Sequence, residues 1–110
     1  GHPEAEMGLV ELFRATDERR YLDLARHMVA ARGRMPAVCG GGRYWQDHAP
    51  VAEQREATGH AVRQLYLAAG VADLLLEEAD PSLRAGTDAL FESFTERRMH
   101  VTGGAGARWE

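Results

Sequence analysis

Five histidines, one cysteine and seventeen carboxylates are the groups able to do chemistry in this chain of 110 residues. Two of the histidines share a context. His2 stands in "GHPE" and His60 in "GHAVR", each after a glycine and each ahead of an apolar stretch of helical period. The positive end of a helix dipole disfavours an imidazolium, so a neutral ring is expected at both places. A neutral imidazole is a donor and an acceptor at once, which suits a hydroxyl-rich ligand better than an ion pair. The alternative for each is a capping or packing histidine.

His48, in "YWQDH", can line the same site from a loop, with Asp47 to orient a neighbouring histidine; the alternative is a solvated loop. His27 and His100 sit near helix ends without companions and read as surface residues. Cys39 has no second cysteine for a metal pair or a disulfide, and "VCGGGR" carries no catalytic pattern, so it reads as a loop thiol. Neither "GGGR" nor "TGGAGA" follows a strand or completes a phosphate loop. Glu53 with Glu56, and Glu92 with Glu96, fit a solvated helix face. No metal site is expected within the chain.

The elements that must position these groups are helices. In segment 3–16, Pro3, Glu4 and Glu6 mark the start, and Ala5, Leu9, Leu12 and Phe13 share one face. Asp17 is the expected N-cap of a second helix over 18–32, with Tyr21, Leu24, Ala25, Met28 and Val29 as its apolar stripe and Gly33 as its stop. Residues 34–50 form a long Gly- and Pro-rich loop carrying Tyr44 and Trp45, and loops of that length are often functional or mobile. A third helix is expected to start within 51–58 and to end near residue 79. It is apolar almost all round between 61 and 76, as a helix buried on several sides would be. Asp80 and Pro81 then open a fourth helix, lined by Leu83, Leu90, Phe91 and Phe94 and ending near residue 101. The reading is all-α: two similar helical hairpins, each begun by Gly-His. The turns at 16–19 and 79–82 should lie at one end and the histidines at the other, facing a common concavity. Leu67, Val71, Leu74 and Leu75 exceed what three other short helices can cover, so an exposed apolar face and self-association are expected.

Composition narrows the classes. A formal net charge of −4 lacks the footprint of a nucleic-acid binder, and no long apolar run reads as a membrane span. No leader pattern reads at the start, and a cytoplasmic location is expected. The chain has no Lys, Ile or Asn, and its 13 basic residues are all Arg. These absences share AT-rich codons and point to a GC-rich genome, so the arginines are poor evidence for phosphate binding. Both ends read as cut, which suggests a segment of a larger protein.

"GHPEAEMGLVELFRATDERRYLDLARHMVAARG", "YWQDHAPVAEQREATGHAVRQLYLAAGVADL" and "RRMHVTGGAGARWE" closely resemble the catalytic domain of glycoside hydrolase family 127, the non-reducing-end β-L-arabinofuranosidases. The resemblance covers nearly the whole chain and runs through GHPE, QDHxPVxEQ, GHAVR and VTGG in order. It implies that residues 1–110 are two hairpins of an (α/α)6 barrel, that the third helix is an inner one, and that His2 and His60 line the sugar pocket; His48 is the third candidate for substrate binding. It also implies retaining hydrolysis by a cysteine nucleophile, kept deprotonated by a zinc ion held by cysteines and a glutamate, with a separate glutamate as general acid/base. None of those groups matches a residue here: the nucleophile and zinc ligands are expected C-terminal to this chain, the acid/base about two positions beyond Glu110. The expected partner is a carbohydrate. The reading from another class is a non-catalytic helical-repeat interaction module.

Overall fold

The computed structural model describes residues 2–34, 36–37 and 40–106; Cys39 and Glu110, both set aside above as catalytic groups, lie outside them. The described residues form four α-helices: α1 (Ala5–Thr16), α2 (Arg19–Ala31), α3 (Ala61–Glu77) and α4 (Pro81–Arg97). Two single 3-10 turns, Arg43–Trp45 and Val51–Glu53, lie between α2 and α3. No strand ladder occurs among the described residues, only the isolated bridges Gly42–Asp47 and Met99–Ala105. The expected all-α class holds. None of these helices is long and apolar enough to cross a membrane.

The helix ends differ from expectation where turn geometry decides. Asp17 is not the N-cap of α2. It closes α1 in the left-handed region (φ 56°, ψ 22°), donating its N–H to Phe13 O, a conformation that a short polar side chain tolerates. Helix α3 starts at Ala61, later than the 51–58 window, because the chain turns at Val51–Glu53 and then passes Gly59 at φ 76° before a helix can begin. Helix α4 stops at Arg97, short of residue 101. Beyond it "HVTGG" folds into a tight turn, with His100 N–H on Gly104 O and Gly103 N–H on His100 O. Asp80 caps α4 as expected: Oδ1 accepts from the Ser82 and Leu83 N–H groups, each at 3.0 Å, with Pro81 in the first turn.

Helices α1 and α3 run side by side in the same direction. Partners advance together along both: Glu6 meets Gly70, and Arg14 meets Asp73 and Glu77. A Cβ on Gly70 would lie 3.0 Å from that of Glu6, so the glycine lets the two helices approach closely. Helix α4 reaches α3 partly across the Val51–Glu53 turn, and a Cβ on Gly86 would lie 2.5 Å from Val51 O. The core consists of Val10, Leu22, Ala25, Val29, Val51, Leu67, Val71, Leu74 and Leu90.

This core corrects two expectations. Leu67, Val71 and Leu74 are covered after all and Leu75 is partly buried; α1, α2 and the 51–53 turn share the work with α4. The exposed apolar surface lies elsewhere on α3 and α4, at Val62, Leu65, Leu76 and Phe91. Between these helices runs an apolar cleft of about 200 Å³, lined by Leu65, Ala68, Leu90, Phe91 and Phe94. The α1 stripe is also rotated from that expected, while in α2 Ala25 and Val29 are buried as expected and only Leu24 departs. Val10 and Leu22 are buried, whereas Leu12 and Leu24 are exposed.

Two backbone donors end on Asp80, and the hydrogen bond from Leu83 leads the causes that hold its carboxyl below the ordinary value. A depressed carboxyl stabilises the fold above its unfolded pKa, and that contribution is lost as pH falls through the folded value. Asp80→Ala should therefore cost about 1 kcal/mol at pH 7, the usual worth of such a cap, and little once the wild-type carboxyl is protonated. Urea unfolding of both proteins over an acid pH series measures this; equal stability at pH 7 would sink it.

Candidate functional site

The site begins with a backbone constraint. Gly59 has φ 76°, and a Cβ there would lie 2.1 Å from Arg43 O and 2.7 Å from Gln46 Nε2. Only glycine lets the chain entering α3 press this closely against the Arg43–Trp45 turn. His60 follows as the N-cap of α3, with Nδ1 accepting the Arg63 N–H at 3.5 Å, the long end of a hydrogen bond. An Nδ1 that accepts carries no proton, so the ring proton is on Nε2, which has no hydrogen-bond partner among the described residues.

Around that ring the structure assembles a chain of edge-to-face contacts. His2 lies 5.6 Å from His60 between ring centroids and 6.3 Å from Tyr66. Tyr44 lies 5.6 Å from His60 and 5.1 Å from Trp45. The Arg63 guanidinium covers the Trp45 ring at 4.1 Å and approaches that of Tyr44 at 5.8 Å. His2 and Tyr44 are exposed; His60, Tyr66 and Trp45 are partly buried. The two histidines that the sequence singled out are thus brought together, although their helical positions differ. His60 adjoins the first residue of α3, while His2 stands two residues before Glu4, the N-cap of α1, across a turn with Glu4 N–H on His2 O.

His48 does not join this chain of rings. Although exposed as a residue, it has its pKa lowered, first by the protein mass around its ring and then by the Arg43 charge, so the neutral form prevails at pH 7. Asp47 is engaged with backbone: its Oδ1 accepts the Gly33 N–H at 2.6 Å. "YWQDH" is solvated only in part: Tyr44 and His48 are exposed, whereas Gln46 and Asp47 are buried. The Gln46 amide donates to the carbonyls of Tyr44 (3.1 Å), Thr58 (2.9 Å) and His60 (3.4 Å). Gln54 donates to Gln46 O (3.1 Å) and Ala49 O (2.8 Å). Arg32, buried and 3.6 Å from the Glu6 carboxylate, donates to Trp45 O at 3.2 Å.

Sequence reasoning named Tyr44 and Trp45 only as loop aromatics and passed over Tyr66 and Arg63. Their signal was spacing: positions 63 and 66 follow His60 by three and six residues, on the same side of α3. His27 is exposed, and His100 Nε2 lies 2.9 Å from Gly106 O within its own turn. Glu56 pairs with Arg98 (2.6 Å) and Arg43 (3.3 Å); the bond from Arg98 leads the causes that hold its carboxyl below the ordinary value. No three His, Cys, Asp or Glu side chains among the described residues could hold a metal, so these residues do not fit a zinc centre. What the rings offer is recognition: imidazole and phenol groups for hydroxyls, and aromatic edges and faces for C–H surface.

The comparisons with known proteins agree on one family. The model of the β-L-arabinofuranosidase, glycoside hydrolase family 127 catalytic domain matches residues 1–110. A non-reducing-end β-L-arabinofuranosidase of Bifidobacterium longum subsp. longum is 34% identical over 97% of this chain and 19% of its own length. A solved family 127 β-L-arabinofuranosidase from Geobacillus stearothermophilus T6 superposes with a TM-score of 0.90 at 36% identity, over 97% of this chain and 19% of that one. Another solved β-arabinofuranosidase of the family gives 0.89 at 39% identity, over 97% and 16%. The chain spans about a fifth of the length of these relatives.

Gly59→Ala places a methyl against the Arg43–Tyr44 backbone and the Gln46 amide at a strained φ and should destabilise by about 1–3 kcal/mol. Gly8→Ala, in open space within α1, should be neutral or slightly stabilising. Denaturant unfolding of the two variants side by side checks the contrast; similar stabilities would remove the steric argument for Gly59.

Proposed function

The chain belongs to the glycoside hydrolase family 127 catalytic-domain family, and we propose that it forms two adjacent hairpins of an (α/α)6-barrel β-L-arabinofuranosidase, where its ring cluster binds the sugar. The observation that carries this is the meeting of His2 and His60 at 5.6 Å, ahead of two separate and parallel helices, within the matched region. In this reading Nε2–H of His60 donates to a sugar hydroxyl, while its Nδ1 stays tied to the start of α3. His2 and the phenols of Tyr44 and Tyr66 offer further donors and acceptors. His48 serves at the edge, where its depressed pKa keeps it neutral. The chain's own part is orientation. Retaining attack by a cysteine, its zinc and the acid/base glutamate fall to other parts of the whole protein, and no step here runs through the metal. The apolar cleft between α3 and α4 is then the seat of a neighbouring barrel helix.

That cleft also supports the second reading, a helical-repeat interaction surface: taken alone, the 110 residues should self-associate through it. Phe91 is 68% exposed there, so Phe91→Glu should return the isolated chain to a monomer in sedimentation or light scattering. A wild-type chain that is monomeric at high concentration would remove the idea.

For the main reading, the isolated chain should not hydrolyse an aryl β-L-arabinofuranoside, and the whole protein should. In the whole protein, His60→Ala should lower kcat roughly a hundredfold, the scale of a misplacement by about 1 Å. His27→Ala, on exposed α2 surface, should change it little. Normal kinetics after His60→Ala would leave His60 a cap and nothing more.

A further inference from the structure

We propose that Gln46 is a positioning residue for this site, setting the spacing of Tyr44 and His60 through their backbones; this rests on the sugar-binding role of the ring cluster proposed above. Gln46 is fully buried, and its amide nitrogen bonds backbone carbonyls rather than ring atoms. Its Nε2 faces three carbonyls, those of Tyr44, Thr58 and His60. An amide NH2 has two hydrogens, so the three acceptors share them, and a side chain that offered acceptors there would be repelled. Two of those carbonyls belong to the residues whose rings sit 5.6 Å apart. A direct backbone bond, His60 N–H to Tyr44 O at 3.3 Å, closes the same ring of contacts.

Gln46 is itself held. Its backbone adopts the left-handed conformation (φ 55°), and Gln54 grips its carbonyl at 3.1 Å. Gly59 leaves the space its amide needs. The flanking turn is anchored from the opposite side by Arg32 on Trp45 O, with Glu6 behind it. A side chain held in this way transmits position, because movement of Tyr44 against His60 must break the part-buried hydrogen bonds that join both to the Gln46 amide nitrogen.

The test uses the whole protein. Gln46→Met keeps the side-chain length and removes the donors; Gln46→Asn keeps an amide that is one methylene too short to reach all three carbonyls. The expected result is a kcat at least about tenfold lower with KM nearly unchanged, in protein that still unfolds cooperatively. In the His60→Ala background the same change should add little, since the ring that it positions is gone. Crystal structures of the variants should show the Tyr44 and His60 rings moved apart. If His60→Ala impairs the enzyme while a folded Gln46 variant keeps wild-type kcat and ring spacing, the positioning role is overturned and the binding role stands. If His60→Ala itself has no effect, the underlying site reading fails first. Loss of the fold in both Gln46 variants would make Gln46 a folding determinant and also overturn the proposal.

Discussion

Irregular backbone buried between helices must find hydrogen-bond partners, and much of this structure follows from how the segment between α2 and α3 does so. A buried carbonyl without a donor costs more than an ordinary hydrogen bond contributes. Here the side-chain amides of Gln46 and Gln54 supply donors to five carbonyls, and Ser93 Oγ of α4 accepts the Ala57 N–H at 3.1 Å. With these backbone groups met, though the Oε1 atoms of Gln46 and Gln54 are buried without a partner among the described residues, the segment packs against α4. Val51 can then join the core against Gly86, and Tyr44 is delivered to the start of α3. A Gly- and Pro-rich stretch that looks like a flexible connection is, over its described part, the piece that joins the two hairpins.

The same packing dissolves an apparent choice about His60. A capping histidine and a ligand-binding histidine look like rival assignments, yet the two ring nitrogens are distinct. Nδ1 engages an orphan N–H of the first turn of α3, so capping uses one ring nitrogen and leaves the other, Nε2, outside the cap. His2 reaches the same place without capping a helix, which shows that the shared Gly-His dipeptide is not a shared local geometry. What the two residues share is a destination, set by the parallel packing of α1 on α3.

Helix number, class, the two short turns and the pairing of the histidines were legible in the sequence, because apolar periodicity and the Asp80-Pro81 start act locally. The phase of the α1 stripe was not. In α1 the buried positions are Glu6 and Val10, and hydrophobicity alone cannot flag a buried glutamate. Its partner Arg32 comes from the end of α2, a pairing made by tertiary packing. Gly70 and Gly86 likewise mark close approaches with residues that carry no hydrophobic signal. The site was half legible for a related reason. His2 and His60 announce themselves by type and context, whereas Gln46 acts through backbone atoms whose proximity exists only once the loop has folded.

The two ends of the hairpin pair are held by different physics. At the turn end, α1, α2 and α3 are joined by Arg14 with Asp73 and Glu77, and by Arg19 and Arg26 with Glu78. The hydrogen bond to Glu77 leads the causes that raise the Arg14 guanidinium pKa, yet the pair lies in solvent, where salt screens it and its net worth is small. At the histidine end, the ties are the Glu6–Arg32 pair and the glutamine amides, all shielded from water. Shielded polar contacts are costly to break singly, since each broken bond strands a partner.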